Sequence, residues 1–511
     1  MSPPHFVVRR SVSVRRPNPA RFSIPADCLG ETGKRGYTSA MSAKRKQNDL
    51  PFRLAALGIP EELLPVVRGC VRELEEEGVR GKALRRLFNR LADRPESFAD
   101  HPILGALAGM LRSGASRGAA GDGAPSPAAR VEEAPWRSWG ADLDPQAVKQ
   151  MRDGASLPVA VSGALMPDAH VGYGLPIGGV LAVDNAVIPY GVGMDIACRM
   201  KMSVFAVPPD LVDGHADDLA LALERETCFG VGGKFTARKD HPVMHEDWGF
   251  SPVTARMRDT AWGQLGTSGS GNHFVEWGVL DVPRALPGLE EGRYLALLSH
   301  SGSRGTGGEV AKYYSSLARR LHRELPRELG HLAWLGLDTD PGREYWAAME
   351  LMGRYSAANH ALIHAAVAGH LGLSPVWGAE NHHNFAWKES HGGREVVVHR
   401  KGATPAGAGV VGIIPGTMID PAYVVEGLGN PLSLCSAAHG AGRAMSRQEA
   451  LKRFRRGDLE HVLREHGVRL LSGGLDEVPM AYKDIRAVMA AQADLVRIRA
   501  TFTPRIVKMA P

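Results

Sequence analysis

The sequence predicts an α+β protein in which a small helical domain precedes a large mixed α/β catalytic domain. The composition, 44% hydrophobic and 23% charged over 511 residues, is typical of globular chains and allows two or three domains. Apolar residues recur at helical spacing early in the chain, whereas glycine-rich turns alternate with short β-branched runs later. No apolar run approaches the ~20 residues that cross a bilayer, so we expect no membrane interaction.

The five cysteines are an odd and scattered set: Cys28, Cys70, Cys198, Cys228 and Cys435. This pattern argues against a disulfide scaffold and favours a reducing compartment. We therefore expect a cytoplasmic protein.

Residues 1–48 differ from the rest of the chain in charge. They hold ten basic and two acidic side chains, while the remaining residues hold 51 basic and 53 acidic ones. The formal charge of +6 therefore indicates no overall affinity for polyanions, and any such site must be a local patch. We interpret residues 1–48 as a disordered basic tail or as the product of a start assigned too early, with Met41 opening the protein. A targeting peptide is the alternative.

Residues 49–114 show the spacing of amphipathic helices. Leucines such as Leu84, Leu87 and Leu91 recur every three or four residues, which predicts a helical accessory domain. Residues 115–135 form the predicted linker, because Gly118–Ala129 is rich in Gly, Ala, Pro and Ser.

Residues 136–511 form the predicted catalytic domain. Short β-branched runs such as Val159–Val161 and Val396–Val398 indicate strands, and their order stays open. Longer amphipathic stretches predict helices over Glu309–Arg323, Tyr345–His370 and Arg447–His466.

Histidine is the most informative residue type in this domain. Twelve of the 20 histidines lie between His273 and His439, and several sit in loops rich in Gly, Asn and Ser. Loops on a rigid scaffold commonly carry ligating and catalytic groups. The loop histidines are His273, His300, the pair His382 and His383, and His439.

An Asp195-x-x-Cys198 spacing lies upstream of these histidines. A tight turn there can direct a carboxylate and a thiolate to one side, and a thiolate can bridge two cations. One Asp, one Cys and three His would serve a two-metal site for chemistry at phosphorus. A lone buried cysteine is more often a small hydrophobe, however, and a lone histidine is more often structural. His360 and His364, four residues apart, resemble a zinc pair but lack an HExxH glutamate.

Glycine-rich turns accompany these groups. Met166–Gly179 and Pro415–Met418 could approach a phosphate closely, and His399–Thr404 adds two cations beside a turn. Such turns usually serve backbone geometry alone, and no GxxxxGK[ST] motif is present. Nucleotide binding would therefore need a different architecture.

Taken together, these motifs make residues 140–511 resemble the RtcB-type RNA ligases. The strings that carry the resemblance are MPDAHVGYGLPIGG, GVGMDIAC, GTSGSGNHFVEW, SHSGSRGTGG, ENHHNFAWKE, HRKGAT, PGTM, HGAGR and AYKDI, followed by a lysine near the end. The resemblance implies an RtcB-type catalytic domain and leaves the helical segment before residue 136 outside it.

The resemblance also implies the roles of individual residues. Cys198 would bridge two Mn²⁺ ions, with Asp195 and His273 on one ion and His300 and His383 on the other. His439 would be the nucleophile that takes GMP from GTP, with Asp168 orienting it. The implied nucleotide contacts are Asn272, Glu276, Thr417, His439, Gly440, Ala441, Gly442, Arg443, Tyr482 and Lys508, of which Glu276 and Lys508 would read guanine.

The implied reaction joins RNA ends that carry a 3′-phosphate or a 2′,3′-cyclic phosphate to 5′-hydroxyl ends, in RNA repair or tRNA processing. An archease-like activator would be a further partner. Three alternatives stay open: a 3′-phosphate guanylyl-capping enzyme, a dinuclear metal phosphatase or nuclease that uses water, and a nucleic-acid-binding protein without catalysis.

The chain departs from the family pattern at a few places. Arg199 follows Cys198 where the family commonly has glycine, Pro405 stands where arginine is usual, and Thr417 and Ala422 each replace a serine. Three residues follow Lys508, whereas the family commonly ends in Lys-Gly. None of these changes removes an implied ligand or the nucleophile.

Overall fold

The computed structural model describes residue 59 and residues 63–99, 101–117 and 132–511. The segment 1–48 and most of the predicted linker lie outside these residues. The described residues before 118 and those from 132 form two compact units. The predicted α+β class is confirmed by the mixture of helices and sheets, whereas the boundaries at 48, 114 and 135 stay predictions.

The first unit is helical. It contains α1 (Leu64–Glu76), α2 (Gly81–Asp93) and α3 (Gly105–Arg117), with a 3₁₀ turn at Pro95–Phe98. Leu84 and Leu91 of the predicted stripe are fully buried, and Phe88 is buried with them. Since these three side chains lie three or four residues apart, α2 presents a continuous apolar face to the core of this unit.

The second unit combines helices and strands. Its helices are α4 (Pro145–Ala155), α5 (Pro189–Val192), α6 (Leu211–Gly214), α7 (Ala216–Glu226), α8 (Pro252–Gln264), α9 (Arg304–Leu321), α10 (Asp340–His370), α11 (Arg447–Arg453), α12 (Arg456–Glu465) and α13 (Ile485–Ala491). Its strands are β1 (Trp136–Ser138), β2 (Ala160–His170), β3 (Ile177–Val183), β4 (Ala186–Val187), β5 (Arg199–Phe205), β6 (Phe274–Val282), β7 (Gly292–Ser301), β8 (Leu335–Gly336), β9 (Pro375–His382), β10 (Asn384–His391), β11 (Arg394–Lys401), β12 (Ala403–Pro405), β13 (Val411–Ile414), β14 (Ala422–Gly427), β15 (Ser436–Ala438), β16 (Arg469–Ser472) and β17 (Val496–Met509). None of the described helices is long and apolar enough to span a bilayer.

The predicted helix over 447–466 is broken in two. Phe454 adopts an extended conformation, and the carboxylate of Asp458 accepts a hydrogen bond from the Arg455 N–H at 2.7 Å. That bond satisfies one of the unpaired donors at the start of α12, so a new helix begins there. The apolar spacing continues through the break, which is why the sequence pattern suggests a single helix.

Two large sheets carry the catalytic motifs. A five-stranded sheet has the order β1-β2-β3-β11-β10, and an eight-stranded sheet has the order β13-β14-β17-β6-β7-β5-β9, with β16 pairing beside β17. Most neighbours are antiparallel, and β1/β2 and β16/β17 are parallel. A single residue, His383, separates β9 of one sheet from β10 of the other, so the chain passes between the sheets at a site residue.

Close packing of β6 against β17 gives a stability prediction. A Cβ atom on Gly278 would lie 2.2 Å from the Thr503 carbonyl oxygen and 2.5 Å from the Phe502 ring. We expect Gly278→Ala to destabilise the protein by about 1–3 kcal/mol, as overpacking does in other cores. The measurement is the denaturant midpoint of the purified protein.

Gly369 provides the matched control. It is exposed in α10, and a Cβ added there would have no atom within 4 Å, so Gly369→Ala should leave the midpoint unchanged or slightly raise it. Equal midpoints for the two variants would contradict the packing described between β6 and β17.

Candidate active site

One edge of the eight-stranded sheet gathers the sulfur and imidazole groups. The register pairs Phe274 with His300 across β6 and β7, and His300 with Met200 across β7 and β5. His273 directly precedes β6 and Cys198 directly precedes β5, so both arrive beside His300. The Sγ atom of Cys198 lies 3.0 Å from Nε2 of His300 and 3.3 Å from Nε2 of His273.

Asp195 and His383 extend this cluster. A turn in which the Cys198 N–H donates to the Asp195 carbonyl places Oδ2 of Asp195 3.0 Å from Nε2 of His273. The His383 N–H donates to the Cys198 carbonyl, and Nε2 of His383 lies 3.2 Å from Nε2 of His300. The structure thus brings together all five residues that the resemblance implies as metal ligands.

His300 holds the tautomer that suits a metal ligand. Its Nδ1 lies 3.0 Å from the carbonyl oxygen of Asn272, which can only accept, so Nδ1 carries the proton. Burial lowers the pKa of His300 to about 3 and keeps the ring neutral. Nε2 therefore presents a bare lone pair to Cys198 and His383.

His273 and Asp195 share a proton in this arrangement. The guanidinium of Arg304 donates to Nδ1 of His273 at 3.0 Å, so the proton of the neutral ring lies on Nε2, facing Asp195. Burial works to raise the pKa of Asp195, but the hydrogen bond from His273 and the charge of Arg304 hold that pKa well below its usual value. Sequence reasoning missed Arg304, although it lies within the SHSGSRGTGG motif.

The donor set fits a transition-metal ion. Ligand atoms of Cys198, His273 and His300 all lie within 4.8 Å of one another, and all three residues are buried. Burial and the nearby Asp195 raise the pKa of the Cys198 thiol well above its usual value, so only a close cation would stabilise its thiolate. His383 adds a buried ring whose Nδ1 has no hydrogen-bond partner among the described residues. Thiolate and imidazole are the donors that such metals prefer.

His439 lies beside this cluster and is oriented by Asp168. The Oδ2 atom of Asp168 is 2.7 Å from Nδ1 of His439 and also accepts from its backbone N–H at 3.2 Å. Because Asp168 is fully buried and holds Nδ1–H, the lone pair on Nε2 of His439 is left free. The His439 and His383 rings lie 4.9 Å apart between centroids.

The loop after His439 approaches the Asp168 backbone closely. Gly442 has a φ of +71°, and a Cβ there would lie 2.1 Å from the Asp168 carbonyl oxygen. Only glycine tolerates both this conformation and this approach, which explains the HGAGR glycine at this position.

A cavity of about 740 Å³ is lined by His439 and by the cluster around Cys198. Nearly all of the implied nucleotide contacts also line this cavity: Asn272, Glu276, Thr417, Gly440, Ala441, Gly442, Arg443 and Tyr482. The Arg443 guanidinium donates to Glu477 at 3.0 Å and lies 5.0 Å from the centroid of the Tyr482 ring, so Arg443 and Tyr482 form one wall.

Glu276 is a buried carboxyl in this cavity. It is 4% exposed, and burial raises its pKa well above the usual value. A carboxyl that loses its hydration on burial favours a hydrogen-bond partner within the cavity.

Lys508 does not reach the cavity in the structure. Its Nζ donates to the carbonyls of Leu223 and Glu224 at 3.1 Å, near the end of α7, whereas its strand neighbours Val507 and Met509 line the cavity. Successive side chains of a strand point to opposite faces, so Lys508 and these neighbours cannot share the cavity wall.

The two basic residues of the HRKGAT motif have different surroundings. Lys401 lines the cavity, and its Nζ donates to the carbonyls of Tyr173 and Tyr190. Burial lowers the pKa of Lys401 to about 7. Arg400 instead forms a bidentate ion pair with Glu389, in which its Nη1 and Nη2 atoms donate to the two carboxylate oxygens at 2.6 and 2.9 Å. The motif alone could not separate these two roles.

His360 and His364 serve as buried hydrogen-bonding residues. Both rings contact the Ser299 hydroxyl, at 2.7 and 2.8 Å, and His364 also contacts the Ser203 hydroxyl at 2.8 Å. These bonds occupy the ring nitrogens that a zinc pair would need.

The departures from the family pattern have local explanations. Arg199 pairs with Glu380 at 3.1 Å and donates to the Gly353 carbonyl at 3.3 Å. Thr417 keeps a hydroxyl, which donates to Asp420 at 2.5 Å. The substitution at Ala422 places a methyl group on the cavity wall.

Comparisons with known proteins agree with these motifs. A family model described as tRNA-splicing ligase RtcB matches residues 150–509. The chain is 33% identical over 399 residues to the RNA-splicing ligase RtcB of Escherichia coli, covering 72% of this chain and 95% of that protein. It is 32% identical over 417 residues to the tRNA-splicing ligase RtcB of Archaeoglobus fulgidus, covering 67% and 86%. It is 31% identical over 433 residues to the relative from Nanoarchaeum equitans, covering 70% and 90%.

The position of Lys508 gives a prediction that separates two roles. We expect Lys508→Met to lower the free energy of unfolding by about 1–2 kcal/mol, because the helix loses a cation at its carbonyl end. GTP affinity should change little. Denaturant unfolding and GTP titration measure the two effects, with the exposed Lys312→Met as control, since its ion pair with Glu309 lies on the surface. A large loss of GTP affinity at unchanged stability would instead restore Lys508 as a nucleotide contact.

Proposed function

The chain belongs to the RtcB family of RNA ligases, and from this premise we propose that it joins RNA ends through a GMP adduct on His439. The enzyme would seal a 3′-phosphate or a 2′,3′-cyclic phosphate to a 5′-hydroxyl. The observation that carries the proposal is the fixed His439–Asp168 pair, with its free nitrogen beside the cluster around Cys198. A cytoplasmic location and an archease-like activator belong to the same proposal.

Five residues would hold two Mn²⁺ ions. These residues are Asp195, Cys198, His273, His300 and His383, the set that the family resemblance implies. Bound there, the ions would supply Lewis acidity that offsets charge on phosphoryl oxygens and on a leaving group. A cation would also take the place of the proton now shared by His273 and Asp195.

His439 would begin the reaction as a nucleophile. Its Nε2 attacks the α-phosphorus of GTP, an N–P bond forms, and the bond to the pyrophosphate oxygen breaks. The ring becomes cationic during the attack, and the buried carboxylate of Asp168 stabilises it through the hydrogen bond at Nδ1.

Two further transfers would complete the ligation. An oxygen of the RNA 3′-phosphate attacks the GMP phosphorus, so the P–N bond breaks and His439 is regenerated. The 5′-hydroxyl then attacks the RNA 3′-phosphorus, which forms the phosphodiester and releases GMP. A 2′,3′-cyclic phosphate would first be opened by water at the same site.

The cavity residues support a nucleotide in this position. Asn272, Arg443 and the turn after His439 offer donors for phosphates, and Glu276 offers a carboxyl for the guanine edge. Thr417 and Tyr482 line the same cavity. Lys401 and Arg447 also line the cavity, and Arg447 adds a cation that suits the RNA phosphate.

The test is adduct formation followed by sealing. With GTP labelled at the α-phosphate and Mn²⁺, the parent should gain an acid-labile GMP label, and His439→Ala should gain none. The parent should then seal a broken stem-loop that carries a 3′-phosphate and a 5′-hydroxyl. Lys312→Met should match the parent in both assays.

The contrary outcomes assign other functions. Equal labelling of His439→Ala would overturn the mechanism. Guanylylated 3′ ends without sealing would indicate a capping enzyme, and phosphate release without GTP would indicate a phosphatase or nuclease.

A further inference from the structure

Lys483, in the AYKDI motif, hydrogen-bonds to the backbone on both sides of Asp168. Its ammonium donates to the carbonyl of Pro167 at 3.1 Å and to that of Ala169 at 2.8 Å. These are the two residues that flank Asp168. One side chain therefore fixes the backbone on each side of the carboxylate that orients His439.

The backbone of Lys483 also contacts the loop that carries His439, the partner of Asp168. Its N–H donates to the carbonyl of Gly442 at 3.0 Å, in the turn that follows His439. That turn touches the Asp168 backbone, as the lack of room for a Cβ on Gly442 demonstrates. Lys483 thus connects the strand that carries Asp168 to the loop that carries His439.

The charges around Asp168 give Lys483 a second effect. Asp168 interacts electrostatically with His439, His170 and Lys483. Burial lowers the pKa of His170 to about 4, so His170 is neutral near pH 7. Lys483 is then the standing positive charge in this set.

Lys483 itself lies near three carboxylates. Burial lowers the pKa of Lys483, and the charges of Asp168, Asp144 and Asp142 oppose part of that shift. A fully buried carboxylate such as Asp168 loses its hydration, and a nearby cation offsets part of that cost.

We propose that Lys483 is a positioning residue that keeps the Asp168 carboxylate directed at Nδ1 of His439 during guanylyl transfer. This inference rests on the proposed function, because it concerns the step in which His439 takes GMP. A carboxylate turned away from Nδ1 could not stabilise the cationic ring formed by the attack. Lys483 acts through Asp168 and touches no reacting atom.

The experiment compares three replacements of Lys483. Lys483→Arg keeps the charge, Lys483→Gln keeps a donor without the charge, and Lys483→Met keeps only the stem. The readout is the rate of His439–GMP formation at one fixed pH, in full-length protein with Mn²⁺ and labelled GTP. Thermal unfolding and Mn²⁺ content verify each variant, and Lys312→Met is the control.

We expect the Gln and Met variants to form the adduct about ten-fold or more slowly, while the Arg variant stays within a few-fold of the parent.

A double-mutant cycle separates this role from a merely structural one. In an Asp168→Asn background, Lys483→Gln should cost little further rate, because its effect passes through the carboxylate. The proposal is overturned if Lys483→Gln matches Lys483→Arg in rate, or if Lys483→Gln and Asp168→Asn act additively. If the parent itself forms no adduct on His439, the proposed function fails instead.

Discussion

The site depends on the burial of lone pairs that face one another. Nε2 of His300 is unprotonated and lies about 3 Å from a sulfur and from a second imidazole nitrogen, and all three side chains are almost fully buried. Such an arrangement is costly unless a cation lies between the donors. The cavity, the carboxylates and His439 are all placed around this one requirement.

The register of the strands brings the ligand atoms together. Adjacent antiparallel strands end at one edge, which brings together residues from distant parts of the chain, and the passage from β9 to β10 supplies His383. The second sheet supplies Asp168, and β15 leads into His439. His439 therefore lies beside the cluster at the point where the chain passes between the two sheets, on rigid elements.

Sequence motifs predicted most of the residues at the site but not their spatial relations. The motifs HGAGR and GVGMDIAC identified His439 and Cys198, because metal binding and phosphoryl chemistry need imidazole and thiolate groups in tight turns. The face of β17 that lines the cavity depends on strand register, which the motifs do not reveal. The motifs therefore predicted Lys508 at the site, whereas Val507 and Met509 line the cavity in the structure. Arg304 escaped notice because its role depends on one contact with His273. The fold class was predictable from periodicity, whereas the break between α11 and α12 depended on a single capping bond.

The most direct test is to locate manganese by anomalous scattering in crystals of the full-length protein grown with Mn²⁺. We expect two peaks about 3.5–4 Å apart, one on each side of the Cys198 sulfur and both within the cavity beside His439. Crystals of Cys198→Ala should lose at least one of the peaks. A single peak away from Cys198, or no peak at this cluster at saturating Mn²⁺, would contradict the account.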